Sequence, residues 1–287
     1  MTMKRLPAAP EARQRPRVRS DIAETAMARW NSGIQAAEEK DRSISIYDVI
    51  GQDFWTGEGV TARRIAGALR ALGKGPVTVN INSPGGDLFE GLAIYNLLRE
   101  HNGEVTVKVL GLAASAASVV AMAGDTVQVA RAGFLMIHNT WVMAIGNRND
   151  LRETAEFLEP FDRAMADIYS ARTGIDVDEI SGMLDAETWI NGADAVEQGF
   201  ADELLPSDQV AEKGEKSSAS AVRRMEAALR ASGMSASAAK KLISEFKASR
   251  RDASGDGARD ATNDPRDAVV ASVGALPRIE SPFSFVE

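Results

Sequence analysis

Two turns of small residues and one strand end carry the side chains of this chain that could do chemistry. The first turn, Gly111-Leu112-Ala113-Ala114-Ser115-Ala116-Ala117-Ser118, reads as a strand-to-helix junction. A serine in the first turn of a helix lies at the positive end of the helix dipole, beside backbone N–H groups that have no acceptor inside the helix. Such amides can bind the oxyanion of a tetrahedral intermediate, and the flanking alanines leave room for a substrate backbone. Taken alone, the segment fits better a serine that caps a tightly packed helix. It is not the Gly-x-Ser-x-Gly elbow of the α/β-hydrolases.

The second turn, Asn80-Ile81-Asn82-Ser83-Pro84-Gly85-Gly86-Asp87, begins where a strand ends. Pro84 fixes one backbone angle, and the two glycines allow conformations that aim N–H groups at a ligand. By itself a Pro-Gly-Gly turn is most often only a loop. No Gly-Lys-Ser/Thr follows it, so it is not a phosphate loop. The strand end is Phe134-Leu135-Met136-Ile137-His138-Asn139. His138 is placed there either as a general base beside a cleft or as a hydrogen-bonded structural histidine. His101, the other histidine, closes a helix beside Asn102-Gly103 and reads as a surface residue. With two histidines and no cysteine, a multi-histidine metal site, thiolate sites, disulfides and thiol nucleophiles are all excluded. We expect no metal and no cofactor.

The elements that must position these groups occupy residues 43–206, where strands and helices alternate. Strands are expected over Ser43–Ile50, Val77–Ile81, Val105–Leu110, Val127–Val129 and Phe134–Ile137. Helices are expected over Thr61–Leu72, Phe89–Arg99, Ser115–Ala123, Asn149–Arg172, Ile180–Leu184 and Gly192–Gln198. Short connections in this order imply an α/β domain with a mostly parallel sheet and right-handed crossovers. Residues 1–42 form a basic N-terminal arm with a short helix between Ile22 and Glu39, expected to be mobile or to bind a partner. Residues 207–287 are rich in Ala and Ser. They offer a helical pair, Val222–Leu229 and Ser237–Phe246, broken at Gly233, and then from Ser249 to Pro265 a run unable to build a core. This tail reads as a weakly folded, scaffold-like interaction segment.

The 287 residues are 44% apolar and 26% charged, with a net charge of −8. That charge argues against binding of nucleic acid by the main body. The longest apolar run, Leu112 to Ala123, falls far short of the roughly 20 residues of a membrane span. Six basic side chains and one acid in the first twenty residues, with no apolar stretch behind them, do not make a secretory signal. A cytoplasmic protein with no membrane partner is expected.

Four blocks, taken together, carry a resemblance. Asn82-Ser83-Pro84-Gly85-Gly86, Gly111-Leu112-Ala113-Ala114-Ser115, Met136-Ile137-His138 and Ala195-Val196-Glu197-Gln198-Gly199 match, in order, the ClpP family of serine peptidases. The match lies within the wider ClpP/crotonase fold of repeated β-β-α units and runs from about Ser43 to Leu205. The resemblance implies Ser115 as nucleophile, His138 as general base, and the amides of Gly86 and Ala116 as the oxyanion hole. Counting back from Ala195-Val196-Glu197 places Glu187 where the family has its acid, with Asp185 two residues earlier as the alternative. Asn149–Arg172 resembles the handle helix by which such subunits stack rings, so a ring-type homo-oligomer is implied.

The basic arm, the Glu187-Thr188-Trp189 segment and the Ala-rich tail look like the ClpP-related head maturation proteases of tailed phages and prophages. That likeness implies a scaffold or capsid protein as substrate, in a host cytoplasm or a prohead interior, with a host Clp-type ATPase as a further partner. Four other readings stay open. One is an ATP-dependent Clp-type degradative subunit. A crotonase-type acyl-CoA enzyme would share the fold but not need the Ser115–His138 pair. A serine/lysine dyad would have to use Lys108, the sole lysine between residues 75 and 200. The last is a non-catalytic scaffold on a degenerate peptidase core.

Overall fold

The computed structural model describes Pro7 and residues 18–20, 22–37, 42–52, 59–206, 210–212 and 236–255, with positions 222, 225, 226, 229 and 234. Most of the basic cluster of the arm, most of the expected Val222–Leu229 helix and the tail beyond Gly255 lie outside the described residues. By its contacts the chain forms two units. Residues 1–243 hold the sheet and every candidate site residue, and residues 244–287 form the other.

Five strands make the parallel spine of the sheet: β3 (Ser43–Ile46), β4 (Val77–Ser83), β5 (Val105–Ala114), β6 (Thr126–Ala130) and β10 (Glu203–Leu205). Their spatial order is β10-β6-β5-β4-β3. Val79, Ile81, Val107 and Val109 are wholly buried, as expected of strands covered on both faces. β5 runs on to Ala114, four residues past the expected end at Leu110. Its last three residues pair in parallel with β7 (Phe134–Ile137), which pairs antiparallel with β9 (Thr188–Asn191). This side branch carries the candidate site.

The helices fall close to their expected places. α2 (Ala62–Leu72) starts at Thr61, whose hydroxyl accepts the Arg64 N–H at 3.3 Å. α3 (Leu88–Arg99) is capped by the Asp87 carboxylate, and α4 (Ala116–Ala121) packs so tightly on it that a Cβ on Gly91 would lie 2.8 Å from that of Ala116. α5 (Arg148–Thr173) opens with a capping box at Asn147 and Asp150 and ends at Gly174, in the left-handed conformation at φ 81°. α6 (Val177–Asp185) and α7 (Gly192–Glu197) complete the layer, and a last helix, α8 (Ala236–Gly255), extends past Phe246.

Residues 22–36, which the sequence assigns to an arm, pack onto the site branch. The expected helix stops early: α1 covers Glu24–Arg29 and gives way to β2 (Ile34–Ala36), which pairs with β11 (Val210–Glu212). The Asn31 side chain accepts the Gly33 N–H at 3.1 Å, a local turn that competes with helix continuation. Ahead of α1, β1 (Val18–Ser20) pairs antiparallel with β8 (Val142–Ala144). Ala26, Met27 and Trp30 form a second apolar cluster with Leu112, Ala114 and Met136, so α1 seals the strands that flank Ser115 and His138.

Trp30 is 1% exposed and donates its indole N–H to the Asn82 carbonyl at 3.0 Å. Its replacement by Ala leaves a cavity and an unpaired carbonyl, and is expected to cost about 3–5 kcal/mol in urea unfolding. A loss below about 1 kcal/mol would mean that the segment does not hold this position.

Among the described residues, no helix is long and apolar enough to cross a membrane. Among those residues, too, no cluster of His, Cys, Asp and Glu could hold a metal ion.

Candidate active site

The Pro-Gly-Gly turn is fastened from three sides. The Ser83 hydroxyl donates to the Asp48 carbonyl at 2.6 Å, the Ile50 N–H to Gly85 O at 2.8 Å, and the Asp87 N–H to Ile50 O at 2.9 Å. Asn82, wholly buried, accepts the Leu112 N–H at 3.1 Å and donates to the Asn31 and Ile34 carbonyls, tying turn, β5 and the N-terminal segment together. Gly85 and Gly86 have φ of 87° and 146°. A Cβ on Gly85 would come within 2.5 Å of Ala114 O and 2.7 Å of Ser115 Cβ. Only glycine lets the turn lie this close to Ser115.

Ser115 occupies the N-cap position of α4, yet its side chain makes no capping bond. Its backbone sits at φ 54°, ψ −127°, a conformation that side-chain-bearing residues rarely adopt and that is kept only where the surroundings enforce it. The enforcing bonds are Ser115 N–H to Met136 O at 2.9 Å and the Ser118 hydroxyl to Ser115 O at 2.6 Å, with Ser118 also bonded to the buried Tyr169 hydroxyl at 2.8 Å. So held, the Ser115 hydroxyl turns away from its own helix and meets His138 Nε2 at 2.7 Å. The simple capping role that the segment alone favoured is therefore not the one observed.

The acids differ in how they reach His138. The β7–β9 ladder ends with Met136 opposite Trp189 and Ile137 opposite Thr188, so His138 and Glu187 each lie one residue beyond its end. Glu187 has φ 50° and is, with Ser115, one of two non-glycine residues at positive φ among the described residues. Its carboxylate accepts the Trp189 indole N–H at 3.3 Å, and no hydrogen bond joins it to His138. Asp185, at the end of α6, accepts instead from the Asn139 side chain at 2.6 Å. A carboxylate the sequence reading passed over, Asp162 of α5, accepts the Thr140 N–H at 2.6 Å. Its signal was weak: an acid on the flank of an apolar helix stripe, next to buried Phe161.

Burial lowers the His138 pKa below its ordinary 6.5, and the negative charges of Glu187 and Asp162 oppose that fall. Burial pushes Asp162 up, against the hydrogen bonding of Thr140, and the Asp185 charge adds to the rise. The outcome is a neutral imidazole at pH 7, able to accept a proton from the hydroxyl it touches. His101 stands apart, its Nε2 bonded to the Gly75 carbonyl at 2.8 Å.

The family model for Clp protease matches residues 37–208, more than half of the chain. An ATP-dependent Clp protease proteolytic subunit 1 of Salinibacter ruber is 29% identical over 132 residues, 45% of this chain and 57% of that protein. A proteolytic subunit from Bacteroides fragilis is 30% identical over 131 residues, covering 45% and 63%. A proteolytic subunit 1 of Leifsonia xyli subsp. xyli is 27% identical over 174 residues, 57% of this chain and 88% of that one. The chain thus spans about three fifths of the length of the first two relatives. It belongs to the Clp protease family, and its α/β fold with a parallel central sheet is of the ClpP type.

Proposed function

We propose that this protein is a serine endopeptidase whose nucleophile is Ser115 and whose general base is His138. The observation that carries the reading is the 2.7 Å contact between the Ser115 hydroxyl and His138 Nε2, made by a serine held at φ 54°. In the reaction the Ser115 oxygen attacks the scissile carbonyl as His138 Nε2 takes its proton. The Gly86 and Ala116 amides hold the resulting oxyanion. His138 passes the proton to the departing amine, which leaves an acyl-serine, and a water deprotonated by His138 then releases the new carboxylate and restores Ser115. The negative charge of Glu187 favours the imidazolium that forms in each half. Glu187 is preferred to Asp185 because its charge acts on His138, whereas Asp185 is engaged by Asn139.

The substrate in this reading is a scaffold or capsid protein, cleaved during prohead assembly in a bacterial cytoplasm by a ring-type homo-oligomer. What supports it is the layout outside the peptidase core: a basic N-terminal segment and an Ala/Ser-rich tail. The tail would itself act as a scaffold and be cut away near Ser207, and a mature particle that keeps it uncut would refute that step. A second reading, a degradative subunit served by a Clp-type ATPase, is favoured by the names that the relatives carry, ATP-dependent Clp protease proteolytic subunits. Cleavage of a co-expressed capsid or scaffold protein at one site without ATP supports the first. ATP-dependent degradation of an unrelated unfolded protein supports the second.

The test common to both is labelling of the assembled protein with a fluorophosphonate, followed by peptide mapping. The label is expected on Ser115 and is lost in His138→Ala. Because the base form of His138 persists below the ordinary imidazole value, the labelling rate should hold through neutrality and fall only below pH 6.5. A midpoint above 6.5, or a label on another residue, would overturn the assignment.

A further inference from the structure

Resting on the reading of Ser115, His138 and Glu187 just given, we propose that Trp189 and Arg29 are positioning residues that hold the Glu187 carboxylate at its post beside His138. A glutamate in this place has one more rotatable bond than an aspartate, and so more conformers from which its charge is misplaced. Something outside the residue must select one of them. The backbone contributes by holding Glu187 at φ 50°, where the stem leaves the chain as β9 begins. The side chain makes a single hydrogen bond, to Oε1 from the Trp189 indole N–H at 3.3 Å. That bond leaves the second carboxylate oxygen free to turn toward the imidazole.

Trp189 is in turn fixed from behind. It packs against the cluster of Met27, Trp30, Ala114 and Met136, and it pairs with Met136 across the β7–β9 ladder. The Arg29 guanidinium lies 4.1 Å from the centre of its ring. A cation at that distance is attracted to the ring face, and it draws π density from the indole, which makes the N–H a better donor to a carboxylate. The chain of contacts therefore runs from the last residue of α1 through one indole to the acid, and it gives the N-terminal segment a part in the chemistry as well as in the core. Two further carboxylates act around the site and are not part of this chain of contacts. The charge of Asp162, on α5, also acts on His138, and that of Asp185, at the end of α6, acts on Asp162.

The experiment measures fluorophosphonate labelling of Ser115 against pH, with kcat and KM on a cleaved peptide. It compares the full-length wild type, Trp189→Phe, Arg29→Gln, Glu187→Gln, and each of the first two variants combined with Glu187→Gln. Trp189→Phe keeps the ring and removes the donor. It is expected to lower kcat and labelling about tenfold with KM unchanged, a coupling of ordinary size for contacting residues. Its acid-side midpoint should move to lower pH, because the charge that favours protonated His138 is less well held. Arg29 is exposed, so Arg29→Gln folds whatever becomes of Trp189→Phe, and it should give the same shift at about threefold cost. In the Glu187→Gln background both substitutions should have no further effect on rate or midpoint. Equal losses with and without the carboxylate would mean that Trp189 and Arg29 serve packing alone and would overturn the inference, as would unchanged midpoints. Failure of the wild type to label at Ser115 would instead refute the peptidase reading, and the inference with it.

Discussion

Ser115→Ala is expected to end peptide turnover, with a fall in kcat on the order of 10⁶ where the assay can follow it, and to leave the fold untouched. Both halves follow from the geometry. The hydroxyl has one partner, His138 Nε2, and no cap to give up, so its removal orphans no backbone amide of α4. The strained φ of 54° is paid for by bonds to the Ser115 backbone from Met136 and Ser118, and alanine keeps both those bonds and the Cβ. The urea midpoint should therefore stay within about 0.5 kcal/mol of the wild type. Turnover is to be followed with a fluorogenic peptide on protein shown to have the wild-type assembly state. Residual activity within about a hundredfold of the wild type would remove Ser115 from the nucleophile's place. A matching loss of stability would show instead that the hydroxyl was structural.

The parts of the site that were readable in the sequence are those set by short-range chemistry. Thr61 and Gly174 mark helix ends with side-chain or backbone requirements of their own, and both behave accordingly. The Pro84-Gly85-Gly86 turn showed its conformational freedom in its composition, and the structure uses that freedom at positive φ and in the close approach to Ser115. What Ser115 does was not settled by its own segment, since the choice between capping α4 and meeting His138 depends on a strand 23 residues away. The acid had the same difficulty. Counting back prefers Glu187 to Asp185, two residues earlier, but which carboxylate acts on His138 depends on the long-range pairing of β7 with β9, which neither segment shows by itself. Strands β8, β9 and β10 have three or four residues each, too few for a period-two pattern to show, and they exist because neighbours pair with them. Gly111 to Ala114 looked like a loop because glycine and alanine are poor strand formers, but pairing with β7 outweighs propensity there. The N-terminal segment was misjudged for a related reason. Its apolar residues, Ala26, Met27 and Trp30, make a stripe too short to signal a core helix, and their partners lie on β5 and β7.

Gly86→Ala should produce the second large effect, and by another route. At φ 146° a Cβ on residue 86 would lie 2.0 Å from Ile50 O and 2.9 Å from Val49 Cγ1. The first of these is a backbone oxygen already bound to the Asp87 N–H at 2.9 Å, so no side chain can rotate out of the way. The turn itself must move. In the proposed mechanism its movement pulls the Gly86 amide away from the developing oxyanion, and it disturbs Asp87, whose carboxylate caps α3 through the Phe89 and Glu90 amides. Displacing one oxyanion donor costs about 10²–10³ in kcat, and the strained backbone adds about 1–3 kcal/mol of lost stability. The variant should therefore fold at reduced urea midpoint, still place Ser115 against His138, and turn over peptide about 10²–10³ times more slowly with little change in KM. Gly67→Ala is the control, because a Cβ in the middle of α2 would meet nothing closer than the Arg70 side chain at 4.0 Å. It should leave turnover unchanged and raise stability by up to about 1 kcal/mol. If Gly86→Ala matched this control in kcat, the amide of residue 86 would not be the oxyanion donor, and the role would pass to Ala116 with some other partner.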